Sequence, residues 1–155
     1  MIQLKSILVP TDFSEFSHHA IRYGCEFAKR FDADLHLVHV VEDIYPLVPE
    51  PGFAMPPAGQ YLADLVKAAE KAFEDLPPTG WDDGIEVTKK VLTGTPFLEI
   101  IRYARDEDLD LIVIGTHGRT GLVHALMGSV AEKVVRKAQC PVLTVRPEGH
   151  DFVMP

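Results

Sequence analysis

The chain has 155 residues, 46% of them hydrophobic, and a formal net charge of -8. Such a length fits one domain that can bury a core. The acidic balance disfavours nonspecific contact with nucleic acid or an anionic membrane, because both need a basic face and no run of lysine or arginine supplies one.

Ser6-Ile7-Leu8-Val9 predicts a first strand, stopped by Pro10. Ser14 is a fitting N-cap for a helix from about Glu15 to Arg30. Phe16, Ala20, Phe27, Ala28 and Phe31 recur near helical spacing and are expected to face the core. Leu35 to Val41 predicts a second strand, its alternation interrupted by His36 and His39. Residues 45–60 are rich in proline and glycine, and no regular element fits there; loops this long are usually functional or mobile. A helix is expected from about Tyr61 to Leu76, with Leu62, Leu65, Val66, Ala69 and Phe73 on one face and Pro77-Pro78 ending it.

Ile85 to Leu92 predicts a third strand. Gly94-Thr95-Pro96 turns into a helix with Thr95 as N-cap and Pro96 in its favoured first position. Phe97, Ile100, Ile101 and Ala104 form that helix's apolar face. Leu111-Ile112-Val113-Ile114 reads as a buried strand and runs into Gly115-Thr116-His117-Gly118. Nine residues later, Gly128-Ser129-Val130 opens a helix that continues through Ala131 to Lys137. Pro141 precedes a last strand, Val142 to Val145, and Pro147 ends it.

The alternation of strands and helices predicts a single α/β domain over residues 1–147, with a tail at 148–155. The expected architecture is an open, mostly parallel five-stranded sheet covered by helices on both faces. The N-terminus lacks a signal peptide and no apolar stretch approaches a membrane span, so a soluble, cytoplasmic protein is expected. Cys25 and Cys140 then read as two buried thiols of a reducing compartment. The seven histidines form no metal pattern; adjacent His18 and His19 point in different directions from a helix.

The chemistry lies in the strand, the glycine-punctuated loop and the helix start. The first N–H groups of a helix lack intrahelical partners and its dipole favours an anion there. Glycine lets backbone approach a phosphate closely. In a doubly wound sheet such a ligand binds beyond the carboxyl ends of the strands, where the strand order reverses. A nucleotide is the expected ligand. No Gly-x4-Gly-Lys-Ser/Thr is present, so there is no P-loop lysine, and no obvious general base lies in the loop beyond His117. A regulatory binding module is therefore favoured over a slow ATP hydrolase or phosphotransferase. The first strand is followed by Pro10-Thr11-Asp12-Phe13-Ser14, which lacks the glycines of a dinucleotide-binding turn. Phe13 is expected in the core.

Three features carry a family resemblance: Val9-Pro10-Thr11-Asp12-Phe13-Ser14, Leu37-Val38-His39-Val40-Val41-Glu42, and the Gly-x2-Gly-x9-Gly-Ser pattern at Gly115, Gly118, Gly128 and Ser129. With Cys140-Pro141-Val142-Leu143-Thr144-Val145 closing the pattern, the chain resembles the nucleotide-binding branch of the universal stress protein family. The resemblance implies a Rossmann-like sheet, similar to the adenine-nucleotide alpha-hydrolases, in order 3-2-1-4-5. It implies ATP, ADP or AMP as ligand, with magnesium left open as a companion ion, and a regulatory role in stress response through a partner not identified by any residue. By resemblance Asp12 approaches the adenine end, and it also suits a helix cap. The Val40 N–H and C=O would read the adenine edge, while Pro10 and Thr11 offer a wall and backbone groups. Gly115 and Gly118 would wrap ribose and phosphates, and Gly128, Ser129 and Val130 would meet phosphate oxygens. Arg119 either pairs with a terminal phosphate or is solvated. His117 either donates to phosphate or is held by backbone.

Assembly has its own argument. In that order the third strand is an edge protected by Glu86, Lys89 and Lys90, whereas Val142-Leu143-Thr144-Val145 is an uncharged edge. A homodimer through 142–145 is expected, weakened by a lysine at Leu143 or Val145.

Overall fold

The computed structural model describes residues 3–43, 57–117 and 127–146. The expectations for most of the 45–60 loop, for Gly118 and Arg119, and for the 148–155 tail lie outside these residues. The described strands are β1 (Ser6–Pro10), β2 (Asp34–Val41), β3 (Val87–Thr93), β4 (Leu111–Gly115) and β5 (Val142–Val145). The helices are α1 (Glu15–Phe31), α2 (Ala58–Ala72), α3 (Pro96–Asp106) and α4 (Ser129–Lys137). All strand pairs are parallel, as the alternation of elements predicts, and the order is β3-β2-β1-β4-β5, as the family resemblance implies.

Parallel strands buried on both faces need apolar residues at successive positions. Ile7, Leu8 and Val9 of β1 are all fully buried. Ile7 and Val9 join Leu35, Leu37 and Val113 under α1, where Ala20, Ile21, Cys25 and Ala28 complete the layer. Leu8, Val38, Ile112 and Ile114 face the other way, against Ile100 and Ala104 of α3 and Ala131 and Val134 of α4. Each such leucine, isoleucine or valine contributes roughly 1.5–3 kcal/mol on burial, so this central slab fixes the sheet.

The expected α1 stripe holds at Ala20, Ala28 and half-buried Phe27 and is corrected at Phe31. Its buried face is Ser17, Ala20, Ile21, Gly24, Cys25 and Ala28, while Phe31 is 45% exposed. Small residues win this face because α1 lies close to β1: a Cβ added at Gly24 would stand 2.4 Å from Val9 Cγ2. The Ser14 cap holds, its Oγ accepting from the Ser17 N–H. Thr95 occupies the N-cap position of α3, but through its carbonyl, which accepts from the Leu98 and Glu99 amides; its hydroxyl makes no cap bond.

Other boundaries move for local reasons. β1 runs through Pro10, because a strand's last residue can lack an N–H where no ladder bond is needed. α2 ends at Ala72 and tightens into a 3-10 turn over Phe73–Asp75, then Leu76 is extended before Pro77. β3 starts at Val87 because the Ile85 N–H closes a turn on the Asp82 carbonyl, with Gly84 at φ 81°. Cys25 is buried as expected, but Cys140 is only half-buried, ahead of the edge strand. Among the described residues no helix is long and apolar enough to cross a membrane.

Candidate functional site

β1 pairs β2 over its whole length, from Ser6↔Asp34 to Pro10↔Val38, but pairs β4 only at Ile7↔Leu111 and Leu8↔Ile112. Beyond Leu8 the central strands part, and a cleft of about 760 Å³ opens at the carboxyl end of the sheet. This is where the chain's crossovers change direction, the position at which such sheets bind ligands. The volume lies within the range of small-molecule sites.

One wall is the turn after β1. The Thr11 N–H donates to the Val38 carbonyl, and the Phe13 N–H donates to Thr11 Oγ1. Ser17 Oγ donates to the Ser14 carbonyl, so the 2.9 Å contact between Thr11 Oγ1 and Ser17 Oγ has threonine as its donor. Both hydroxyls are therefore engaged inside the protein, at positions only 6% and 5% exposed. This corrects the expectation for Thr11: its amide hydrogen is already held by the sheet. Thr11 lines the cleft as a wall and fixes its shape.

Asp12 Oδ1 accepts from the Ser14 N–H and hydroxyl, an Asx turn that braces the cap of α1. Phe13 follows in the left-handed region at φ 64°, an uncommon conformation for a non-glycine residue. Its ring packs on His39, with centroids 4.5 Å apart, and edge-on to Phe73 at 5.1 Å. Phe13 thus packs against the core and lines the cleft at once.

The second wall is the end of β2. Val41 O accepts the Gly94 N–H on the β3 side, and Val38 O accepts the Thr11 N–H on the β1 side. Strand backbone alternates, so the Val40 N–H and C=O face the β1 side. They lie past the last β1–β2 pair, where the cleft is.

The third wall is built by β4 and α4. The Thr116 N–H donates to the Val145 carbonyl, and the Gly128 N–H donates to the Thr116 carbonyl at 2.6 Å. These two bonds bring the start of α4 back beside the end of β4. Gly128 is the N-cap of α4 and has no side chain to cap it. The first intrahelical bond runs from Glu132 N–H to Gly128 O, which leaves the Ser129, Val130 and Ala131 amides without an intrahelical acceptor. All three residues line the cleft. A Cβ added at Gly115 would meet Phe16 O and His117 O at ordinary contact distance, 3.4 and 3.5 Å. Internal packing does not require glycine there. His117 Nδ1 lies 2.9 Å from Thr116 Oγ1, and its ring neighbours Phe16.

The structure so brings Pro10, Thr11, Asp12, Val40, Gly115, His117, Gly128, Ser129 and Val130 to one cleft. Among the contributors that sequence reasoning missed are Ser17, His39 and the α2 face Tyr61, Leu65, Ala68, Ala69 and Ala72. A signal existed for two of them. His39 breaks an apolar strand, and α2 carries unusually small residues on one side. His36, the other interruption of β2, points to the opposite face and meets the Tyr103 hydroxyl at 2.9 Å, away from the cleft lining. Among the described residues no group of three or more metal-ligating side chains lies together.

A model of the universal stress protein family matches residues 3–146. The chain is 36% identical over 143 residues to universal stress protein MJ0531 of Methanocaldococcus jannaschii, covering 92% of this chain and 82% of that protein. It is 31% identical over 156 residues to universal stress protein MJ0577 of the same organism, covering 94% and 96%. The solved structure of MJ0577 matches with a TM-score of 0.80 at 29% identity, over 96% of this chain and 99% of that one. Universal stress protein UspA from Lactobacillus plantarum matches with a TM-score of 0.77 at 25% identity, over 94% and 100%. By the family model and by relatives spanning nearly its whole length, the chain belongs to the universal stress protein family.

Proposed function

We propose that the chain is a regulatory module whose cleft binds an adenine nucleotide (ATP, ADP or AMP) and which acts in a stress response through a partner protein. The observation that carries this reading is the uncapped start of α4, where the N-cap is a glycine and the Ser129, Val130 and Ala131 amides border the cleft. That donor set fits a phosphate chain: N–H groups without an intrahelical acceptor at the positive end of a helix dipole. Hydrogen bonds to a charged group contribute roughly 1.5–3 kcal/mol each. Three of them supply about 4.5–9 kcal/mol before the cost of association, so affinity near the micromolar range, about -8 kcal/mol, also draws on burial of the adenine ring between the cleft walls.

The remaining roles follow the walls. The Val40 amide and carbonyl suit the hydrogen-bonding edge of adenine, and Pro10 and Thr11 confine the ring. Asp12 sits at the base end rather than the phosphate end, where a carboxylate would repel the ligand. Gly115 leaves room for ribose and phosphate to approach the backbone, with His117 beside them; Gly118 and Arg119 would complete the loop. Magnesium, if the ligand brings it, would ride on the phosphates. Two solved proteins of this fold, 20% and 22% identical to the chain, hold cAMP and dAMP respectively, which shows that the fold accommodates adenine nucleotides in them.

The test is to denature freshly purified protein and identify released nucleotide by mass, followed by calorimetry with ATP, ADP and AMP. Binding near micromolar is expected for at least one. An absence of heat and of melting shift across all three would overturn the reading.

A further inference from the structure

α2 is held to the fold by one end. Its burial begins at Ala69, 5% exposed, and continues into the 3-10 turn with Phe73 at 4%. The Phe73 ring meets Phe13 edge-on, and the Phe73 carbonyl accepts a hydrogen bond of 2.8 Å from Lys89 Nζ on β3. Over residues 60–68 no side chain is buried, although Tyr61, Leu62, Leu65 and Val66 are large and apolar. The other helices are buried along their length: α1 at positions from Ser17 to Ala28, α3 at Ile100 and Ala104, α4 at Ala131 and Val134. The first two-thirds of α2 thus carries apolar side chains that the described residues leave half-covered, and such a segment opens locally at low cost.

Those side chains overlook the cleft. Tyr61, Leu65, Ala68, Ala69 and Ala72 line it from one face of the helix. The face tapers, with alanines at the anchored end and a tyrosine and a leucine at the other. The hydrogen-bonding groups of a strand lie in the plane of its sheet, and its side chains stand roughly perpendicular to that plane. His39 packs on Phe13, on the side shared by α1 and Phe73, whereas Val38 and Val40 belong to the α3 and α4 side. A flat ring bonded edge-on to the Val40 backbone therefore has one face toward α2 and the other toward Pro96 and Ile100 of α3, which line the cleft opposite. Ile100 is only 3% exposed and fixed in the core, so the α2 side is the one that can give.

We propose that α2 is the moving wall of the cleft: its Tyr61–Leu65 half turns about the Ala72–Phe73 junction and closes on the face of a bound adenine ring, with Leu65 seated on the base. The inference rests on the reading of the cleft as an adenine-nucleotide site with the base at Val40, and it names the element through which occupancy changes the surface. Hinges are element-terminal positions that absorb a change in φ and ψ, and this junction is where α2 gives way to the 3-10 turn. The ring supplies the apolar surface that the half-covered stripe lacks, and that added burial favours the closed position over the lifted one. Asp64, Lys67 and Lys71, exposed on the outer side of α2, move with it. A partner that binds there reads whether the cleft is filled.

Hydrogen exchange of the full chain, read by mass spectrometry, tests this. Without nucleotide, the amides of residues 62–68 should exchange at least about ten-fold faster than those in the middle of α1. ATP at about 100 times its Kd should slow them at least about ten-fold, within the roughly 100-fold ceiling that linkage sets. If ATP raises the melting temperature while these amides exchange as before, the moving wall is refuted and the nucleotide reading stands. If ATP produces no melting shift, both fall. Amides of 62–68 as slow as those of α1 before ATP is added would also overturn the proposal, because a wall already seated has nothing to close. Two variants test the seat itself. Leu65→Ala should weaken ATP and AMP by the same factor, at least about five-fold, since it removes a contact to the base and none to phosphate. Leu62→Ala removes the same atoms from the same helix outside the cleft lining, and should leave both affinities within about two-fold of wild type. Equal losses in the two variants would make Leu65 a prop for the helix and would overturn the proposal.

Discussion

His39 Nδ1 lies 2.8 Å from the carbonyl oxygen of Thr11, joining the end of β2 to the turn after β1. A carbonyl only accepts, so Nδ1 carries the proton of this bond. The same imidazole packs on Phe13, whose left-handed backbone sets the direction of the turn. One side chain thus holds both the conformation of the Thr11–Asp12–Phe13 turn and the distance between two walls of the cleft.

His39→Leu should therefore destabilise the fold by about 1–3 kcal/mol, because the Thr11 carbonyl loses a donor in a half-buried setting. It should also reduce nucleotide-induced thermal stabilisation. His39→Asn, whose amide can place an N–H near the Nδ1 position, should recover part of both. Urea unfolding and thermal-shift titration measure the two effects. A leucine variant equal to wild type in both would remove His39 from this role.

Gly24→Ala tests the contact between α1 and β1. On an exposed helix the change would stabilise, by up to about 1 kcal/mol. Here the new methyl would stand 2.4 Å from Val9 Cγ2, and Leu35 Cδ1 is 3.2 Å away. Overpacking of this kind costs about 1–3 kcal/mol, so the steric term outweighs propensity. A lowered urea midpoint with an unchanged slope is expected; a raised midpoint would mean that the helix can lift from the sheet at little cost.

The sequence made the sheet legible because β1 and β4 are short continuous apolar runs and β2 is one broken only by His36 and His39, the pattern expected of strands buried on both faces. The ends of elements were less legible. Pro10 reads as a terminator, yet it closes β1, because the strand has already parted from β4. The buried side of α1 was obscured by size. Ser17 and Gly24 score as polar or neutral, but their smallness lets the helix settle, and the larger Phe31 is displaced outward. At the site, glycine spacing marked the start of α4. The bonds that set the opposite wall join Thr11 to Val38 and His39 across 27 and 28 positions of chain, and no local pattern encodes such pairs. The sequence also placed Val145 beside Leu143 as an exposed edge residue; Val145 is only 7% exposed, so a lysine there would disrupt the core before it tested any dimer.

Cys25 gives a pH signature. Burial pushes its thiol up to about 11, partly offset by Lys29. An unfolded thiol titrates near about 8.5. The folded state therefore holds its proton through a range in which the unfolded state has released it. The associated stability is fully present below about pH 8.5 and is lost as the pH rises toward 11. Each proton so linked is worth up to about 1.4 kcal/mol per pH unit. Cys25→Ala should flatten the decline in unfolding free energy over this window. An identical slope in both proteins would show that other groups govern the alkaline limit. By the same burial, alkylation of Cys25 near neutral pH should be slower than that of half-buried Cys140, whose thiol is also raised by desolvation.

Gly128→Asp separates the helix cap from the ligand. Gly128 has φ -67° and ψ 152°, the extended conformation of an N-cap that any residue can adopt. An aspartate there would accept from the open amides of α4 and place negative charge at the positive end of the dipole. The cap itself is worth a few tenths of a kcal/mol over glycine, and the charge adds about 0.3–1 kcal/mol. Without nucleotide the variant should therefore melt higher than wild type. With ATP it should melt lower than ligand-loaded wild type, because the side chain occupies the donors and repels phosphate, weakening binding by at least about ten-fold. The two signs are opposed, so a general loss of structure cannot imitate the result. A variant that gains stability and still binds ATP as wild type does would place the phosphates away from the start of α4.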